Sequence, residues 1–141
     1  MALQLRELMT KDVIKLPSSA SIVDAAQRMR EGHVGVVVVV EDGGRLCGVV
    51  TDRDIAVRVV AEGMGPATTP LSAVCSKELT VLSPDDAVDK AIEVMRAKAI
   101  RRTPVVDGEN RVVGVVSLGD LAIERDAQSV LGHISAATPN L

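Results

Sequence analysis

Two pairs of side chains in this sequence combine a hydroxyl with a carboxylate three residues further on. Thr51 and Asp54 lie in the segment GVVTDRDI, and Ser117 and Asp120 lie in GVVSLGDL. An ionised carboxylate only accepts hydrogen bonds, so it suits the two hydroxyls of a cis-diol. A helix N-terminus offers free N–H groups to a phosphate. Because the same spacing is that of a helix capping box, the pairs are predicted to be helix starts, halves of a binding site, or both.

Three arginines lie close to these motifs or to a predicted strand. Arg53 sits inside the first motif, and Arg101 and Arg102 precede the apolar segment TPVVD. Their fork-shaped guanidinium groups suit a phosphate tail. An ordinary solvated role is an equally good interpretation of each of them.

Catalytic chemistry is not indicated by the remaining polar residues. The sequence has no nucleophile–base pair, no metal-ligand cluster and no glycine-rich phosphate loop, so we expect no enzyme activity, no catalytic residue and no metal site. Cys47 and Cys75 lack CxxC spacing and are interpreted as free thiols. A thiol-dependent redox sensor that uses both cysteines is kept as an alternative.

The composition excludes several classes of partner. The chain has 141 residues, is 47% hydrophobic and contains no Phe, Tyr or Trp, so nucleic-acid bases cannot stack on aromatic side chains. The net charge of −3 makes nucleic acid an unlikely partner. No apolar run reaches the ~20 residues that span a membrane, and the first residues do not resemble a signal peptide. We therefore expect a cytoplasmic protein without a membrane partner.

The chain is an internal repeat. Residues 5–58 align with residues 71–124 at a constant offset of 66 without a gap, and fourteen of the aligned positions are identical. Such self-similarity is the signature of a duplicated structural unit. The alignment pairs the two hydroxyl–carboxylate motifs with each other. It also sets Arg53 opposite Gly119, so the two copies are expected to bind unequally.

Each copy predicts the order β-α-β-β-α, a mixed α/β (α+β) fold. The first helix has an apolar face at i, i+3, i+4 and i+7 in both copies. Ser83 is predicted as a helix N-cap with Pro84 at the first helical position, and Gly32 as the residue after a helix end. The predicted strands are DVIKL, VGVVVVV and LCGVVT in the first copy, and ELTVL, TPVVD and RVVGVVS in the second. The apolar helix faces are Ile22, Ala25, Ala26 and Met29, and Val88, Ala91, Ile92 and Met95.

The repeat also predicts the domain organisation. Residues 1–61 form repeat 1, residues 62–70 a linker, residues 71–125 repeat 2, and residues 126–141 a weakly structured tail. A unit of about 55 residues buries too little surface to be stable by itself. We therefore expect the two repeats to pack sheet to sheet with pseudo-twofold symmetry, leaving two related clefts between them.

These motifs together resemble the CBS domain, named for cystathionine β-synthase, which occurs as tandem pairs called Bateman modules. The resemblance rests on RRTPVVD, GVVTDRDI, GVVSLGDL and TVLSPDDAVDKAIEVM and covers roughly residues 5 to 125. It implies a regulatory, non-catalytic module that senses AMP, ADP or ATP, with S-adenosylmethionine or NAD as further possibilities. It also implies a homodimer and a regulated protein partner. The alternative is a structural dimerisation module with vestigial clefts.

The resemblance also implies which residues contact the ligand. The carboxylates of Asp54 and Asp120 would accept hydrogen bonds from ribose hydroxyls, with Thr51 and Ser117 near the ribose or phosphate. The adenine pocket would use the first strand and the residues around the second strand of each copy. Copy one departs from the family where VVVVV replaces the proline-containing strand. The implied adenine residues are Ile14, Gly35, Val36 and Val38 in copy one, and Thr80, Arg101, Arg102 and Pro104 in copy two.

Overall fold

The computed structural model describes residues 3–77 and 79–125, and the predicted tail 126–141 lies outside this part. The chain divides into two compact units. Unit I spans Val13–Leu79, and unit II joins the described residues of Met1–Asp12 to those of Thr80–Leu141. The sequence repeats and the compact units thus differ, because the first residues of the chain belong to unit II.

Unit I follows the predicted order β-α-β-β-α. Its elements are β1 (Lys15–Pro17), α1 (Ile22–Gly32), β2 (Val36–Val40), β3 (Leu46–Thr51), α2 (Asp52–Asp54) and a π-helical continuation of α2 (Ile55–Val60). The sheet order is β1-β2-β3, with β1 parallel and β3 antiparallel to β2. Because a parallel pair needs a crossover connection, α1 lies between β1 and β2 in the chain.

Unit II repeats most of this order. Its elements are α3 (Val88–Lys98), β4 (Arg102–Val106), β5 (Val112–Ser117) and α4 (Leu118–Arg125). Strands β4 and β5 form an antiparallel pair. The mixed α/β class and the two repeats of strands and helices are therefore confirmed.

The predicted strand ELTVL is reduced in unit II to a single parallel bridge between Leu82 and Val105. In unit I the N–H of Val38 donates to the carbonyl of Ile14 at 2.9 Å. The equivalent residue in unit II is Pro104, which has no N–H, so this bond of the ladder cannot form. Leu82 keeps its own two bonds, from its N–H to Pro104 O at 3.1 Å and from Val106 N–H to its carbonyl at 2.9 Å.

Helix α1 begins at a capping box and ends one residue later than predicted. The Ser21 hydroxyl accepts from Asp24 N–H, and the Asp24 carboxylate accepts from Ser21 N–H, both at 3.1 Å. Gly32 is still helical, and His33 takes the left-handed conformation with φ 53°. A Cβ on Gly32 would lie 2.9 Å from Ile14 Cδ1, so the glycine serves close packing rather than a helix end.

The predicted N-cap at Ser83 is wrong, because α3 begins at Val88 with Ala87 as its N-cap. Residues 83–86 form a turn in which the Asp86 carboxylate accepts from Ser83 N–H at 2.8 Å. The carbonyl of Asp86 accepts from Leu5 N–H at 2.9 Å, and the carbonyl of Pro84 accepts from Arg6 N–H at 3.1 Å. A helix that started at Ser83 would need these carbonyls for its own bonds.

Each unit has an aliphatic core in which the predicted helix faces largely hold. The members that the prediction named correctly are Ile22, Ala25, Met29, Val88, Ala91 and Met95, all buried, with Ile92 partly buried. Ala26 is exposed, contrary to the prediction. In β2, Val37, Val38 and Val39 are at most 1% exposed, so this strand is buried on both faces as expected.

The segment that opens each sequence repeat packs in the unit formed by the other repeat. Leu5, which is fully buried, belongs to the core of unit II, and its equivalent Leu71 is fully buried in the core of unit I. Thr10 forms an antiparallel bridge with Val115 in unit II. Val49 and Ser76 form the equivalent bridge in unit I. Each hairpin is therefore completed by residues from outside its own repeat.

We expect Gly48→Ala to destabilise the protein, because a Cβ at this position would lie 2.5 Å from the carbonyl oxygen of Ser76. Forcing extra volume into such a contact costs about 1–3 kcal/mol. Gly108→Ala is the matched control, since nothing lies within 4 Å of its added Cβ. Urea unfolding of both variants tests this. Equal urea midpoints for the two variants would contradict the close contact between Ser76 and β3.

Candidate functional site

Both predicted hydroxyl–carboxylate pairs form complete capping boxes. Thr51 N–H donates to Asp54 Oδ2 at 2.9 Å, and Asp54 N–H donates to Thr51 Oγ1 at 3.1 Å. In unit II, Ser117 N–H donates to Asp120 Oδ2 at 2.9 Å and Asp120 N–H to Ser117 Oγ at 3.1 Å. Each carboxylate accepts its capping bond through Oδ2. The carboxylates are thus held at a helix N-terminus, and Oδ1 can accept from a further donor.

The neighbouring strand ends bring other predicted residues close to each capping box. In unit I, Val36 pairs with Thr51 across the sheet, and Gly35 O accepts from Asp52 N–H at 3.0 Å. A Cβ on Gly35 would lie 2.9 Å from Asp52 Oδ2, so a side chain there would require the Asp52 carboxylate to move. These residues therefore form one continuous surface with the start of α2.

Unit II has the equivalent arrangement with arginines in place of small residues. Arg102 pairs with Ser117, and Arg101 O accepts from Leu118 N–H at 2.7 Å. Both arginines are exposed. Two cations therefore stand beside the start of α4, whereas the equivalent positions in unit I hold Gly35 and Val36.

The remaining predicted adenine residues lie further along the strands. Ile14 O accepts from Val38 N–H at 2.9 Å, so these two are adjacent in unit I. Val38 is 1% exposed and Pro104 is buried, while Thr80 is half-buried. Thr80 and Pro104 are the equivalent pair in unit II. They cannot form the bond that joins Ile14 to Val38, because proline has no N–H to donate.

Arg58 was missed by the sequence reasoning, although its i, i+4 spacing from Asp54 was a usable signal. Its Nε lies 3.7 Å from Asp54 Oδ1, and its Nη1 donates to Val74 O at 3.0 Å. The Asp54 side chain is 15% exposed. Arg53, a predicted phosphate-binding residue, is exposed, and its backbone N–H donates to Asp52 Oδ1 at 2.9 Å. The cation that pairs with Asp54 is therefore Arg58.

Two surface cavities lie away from these residues. A cavity of about 580 Å³ in unit II is lined by Arg6, Glu7, Met9, Lys11, Pro84 and Val113. A second one, of about 570 Å³, lies in unit I beside Lys15, Pro17 and Arg45. None of the predicted site residues lines either cavity.

The described part of the chain has neither a cluster of metal ligands nor a helix that could span a membrane. Within residues 3–77 and 79–125, no three His, Cys, Asp or Glu side chains come together as metal ligands would. No helix in these same ranges combines the length and apolarity needed to cross a bilayer.

Comparison with known proteins gives consistent matches along most of the chain. The family model described as CBS domain matches residues 5–61 and 71–125. The CBS domain-containing protein YhcV of Bacillus subtilis is 40% identical over 134 residues, which cover 92% of this chain and 94% of that protein.

Solved structures give the same result for the fold. Hypoxic Response Protein I with two coordinated zinc ions matches with a TM-score of 0.77 and 31% identity, over 85% of this chain and 97% of that chain. The protein of that name from Mycobacterium tuberculosis is 28% identical over 131 residues, 93% of this chain and 91% of its own. The CBS domain pair of protein MJ0100, in complex with 5′-methylthioadenosine and S-adenosyl-L-methionine, matches with a TM-score of 0.80 and 24% identity, over 92% and 100% of the two chains. This last likeness concerns the fold alone.

Proposed function

The chain belongs to the CBS-domain family, and on that premise we propose that it is a non-catalytic regulatory module that senses an adenine nucleotide. The ligand would be AMP, ADP or ATP, with S-adenosylmethionine and NAD as related candidates. One observation carries the proposal: both units hold a carboxylate in a capping box at the end of a hairpin. The two carboxylates share the same capping geometry because the chain is a duplicated sequence, but Asp54 pairs with Arg58, whereas Arg101 and Arg102 lie beside the unit II motif.

The chemistry of the capping boxes supports a ribose phosphate. A carboxylate whose Oδ2 is occupied by the cap can accept from ribose hydroxyls through Oδ1. The helix N-terminus beside it favours negative charge. Arg101 and Arg102 add two exposed cations at the unit II site. A nucleotide carries all the groups that these residues recognise.

One structure of the same fold was solved with adenosine compounds, which is consistent with this class of ligand and does not choose among its members. The MJ0100 pair was solved with 5′-methylthioadenosine and S-adenosyl-L-methionine, which share an adenosine group. We propose that this chain also recognises adenosine, and that Arg101 and Arg102 favour a phosphorylated nucleoside over a thioether or a sulfonium.

We expect millimolar AMP or ATP to raise the melting temperature. A ligand present at 100 times its Kd stabilises the folded state by about 2.7 kcal/mol, which corresponds to a shift of several degrees. Ribose 5-phosphate and GMP serve as controls for the sugar phosphate and for the base. No shift with AMP, ADP, ATP, NAD or S-adenosylmethionine would contradict the proposal.

A second candidate function is self-association with empty clefts. Val57, Val60 and Met64 are 49%, 67% and 38% exposed and follow one another along the end of the α2 region. Exposed apolar residues that lie together favour an interface with another protein surface, including a second copy. Sedimentation velocity on the same samples separates the two: a dimer whose melting temperature no nucleotide changes would support this second candidate.

A further inference from the structure

Cys47 is turned toward the core of unit I by a β-bulge. Val39 pairs with Gly48 and Val40 pairs with Leu46, so Cys47 is an extra residue in β3 without a partner on β2. Regular alternation would place Cys47 on the face of Val49, opposite the face of Val50. Instead Cys47 packs against the cluster that contains Val50 and Cys75. The bulge therefore turns the Cys47 thiol toward the core, whereas regular alternation would have placed it on the opposite face of the strand.

Cys75 is held against the same strand by the segment that packs on it. Val49 and Ser76 exchange two backbone bonds, of 3.2 and 2.9 Å. An added Cβ on Gly48 would lie 3.0 Å from Cys75 Sγ, so the glycine leaves the space that this sulfur occupies. Cys75 is buried and Cys47 half-buried, and both are free thiols. The Cys75 thiol is close enough to Cys47 to help raise the pKa of that thiol.

The other repeat has no thiol at the two equivalent positions. The residues equivalent to Cys47 and Cys75 are Val113 and Met9, one of them in the equivalent bulge of β5. Both pack against the core of unit II. The fold therefore requires only an apolar pair at this place, and unit I fills it with two thiols.

We propose that Cys47 and Cys75 form an intramolecular disulfide that fastens the segment Leu71–Ser76 to β3. With hydrogen peroxide as oxidant, one thiolate attacks an oxygen of the peroxide and becomes a sulfenic acid as the O–O bond breaks. The hydroxide that leaves takes up the proton that the thiol had lost and becomes water. The second thiol then displaces a second water and the S–S bond forms. Two S–H bonds are lost, the two electrons reduce one peroxide, and a small-molecule thiol reverses the reaction.

The environment of the pair makes this reaction slow at neutral pH. Burial, the neighbouring Cys75 and the carboxylate of Glu41 raise the pKa of Cys47 to about 11. Because the thiolate is the reacting form, a thiol with so high a pKa resists brief oxidation. The disulfide would thus respond to sustained oxidation.

The fastened segment is connected to the candidate binding site. Val74 precedes Cys75, and its carbonyl accepts from Arg58 at 3.0 Å, while the same guanidinium pairs with Asp54. A disulfide at Cys75 restrains Val74 and hence the cation beside Asp54. If the adenine-nucleotide function proposed above holds, the oxidised and reduced proteins should differ at least threefold in nucleotide affinity.

The test is oxidation of the full chain with hydrogen peroxide at pH 9, where more thiolate is present, followed by alkylation and intact mass measurement. We expect a monomer that has lost two hydrogens, takes up no alkylating group, and returns to two alkylatable thiols after reduction. Oxygen atoms that peptide mass measurement locates on Cys47 or Cys75 and not on a methionine, a disulfide-linked dimer, or two thiols that stay alkylatable would each overturn the proposal. The nucleotide affinities of the oxidised and reduced proteins are measured in a separate titration. A reduced protein that binds no nucleotide would contradict the proposed function but not the disulfide.

Two kinds of control variant are available. Cys47→Ala and Cys75→Ala each leave one thiol and should show no loss of two hydrogens within a monomer. The double variant Cys47→Val with Cys75→Met copies the pair that unit II already accommodates. It should fold and show no change of nucleotide affinity on peroxide treatment. An affinity change as large as in the wild type would show that the effect arises elsewhere, for example at a methionine.

Discussion

Asp54→Ala is expected to weaken nucleotide binding by about tenfold to a hundredfold while the chain remains folded. A hydrogen bond to a charged group contributes about 1.5–3 kcal/mol, and each 1.4 kcal/mol is about tenfold in affinity. Asp120→Ala is expected to act in the same direction at the unit II site. Isothermal titration with AMP or ATP measures both effects. Unchanged affinity in both variants would show that these carboxylates serve as helix caps only.

The capping role of Asp54 has to be separated from its role in binding. Asp54→Ala also removes the bond from Thr51 N–H, which costs about 1 kcal/mol of stability. Asp24→Ala is the matched control, because Asp24 forms the same box with Ser21 at the start of α1 and is not a predicted site residue. We expect the two variants to lose similar stability, and the Asp24 variant to keep its affinity.

A nucleotide that lacks one ribose hydroxyl tests whether a carboxylate binds the ribose. If a carboxylate accepts from the ribose hydroxyls, 2′-deoxy-AMP should bind more weakly than AMP to the wild type. In the variant that has lost the relevant carboxylate, the ratio of the affinity for AMP to the affinity for 2′-deoxy-AMP should fall toward one. An undiminished preference in both aspartate variants would place the recognition of the ribose on other groups.

Leu5→Ala is expected to be among the most destabilising single substitutions in the chain. Leu5 is 0% exposed in the core of unit II, and large-to-small changes at such sites cost about 2–5 kcal/mol. For a unit of this size that corresponds to roughly 10 °C or more in melting temperature. Leu118→Ala makes the same chemical change at a residue that is 44% exposed, so it should cost roughly 0.5 kcal/mol or less.

Hydrogen exchange reveals which unit Leu5 stabilises. Thr10 and Val115 exchange backbone bonds of 2.8 and 2.9 Å, so protection of the Val115 amide depends on the segment that Leu5 anchors. We expect Leu5→Ala to lower protection at Val115 more than at Val49, and Leu71→Ala to do the reverse. Greater loss at Val49 in the Leu5 variant would contradict the exchange of opening segments between the repeats.

Much of the local structure could be predicted because it depends on neighbouring residues. The capping boxes at Thr51 and Ser117 need only a hydroxyl, a carboxylate and their spacing, and both form as predicted. The valine-rich strand β2 is buried on both faces because its composition leaves no polar side to expose. The duplication itself predicted the two repeats of the fold, which the family match confirms.

Other features could not be predicted because they depend on contact with a distant segment. Ser83 looks like a helix N-cap, but the segment at Leu5 uses the carbonyls that this helix would need, so α3 begins at Val88. Arg58 was not singled out from the sequence, yet it lies beside Asp54 and also bonds to Val74, sixteen residues away. Alternation likewise could not predict the bulge that turns Cys47 toward Cys75.

The sequence by itself determined the duplication, the aliphatic core, the strands and helices and the paired carboxylates, because these follow from composition, periodicity and short-range hydrogen bonding. Only the tertiary structure decided which segment completes each hairpin, where α3 begins and which side chains meet Asp54 and Cys47. Those outcomes depend on backbone groups that find partners far along the chain. The local sequence does not indicate such pairing. Every backbone N–H can donate a hydrogen bond, and every carbonyl can accept one, from whichever group the fold brings close.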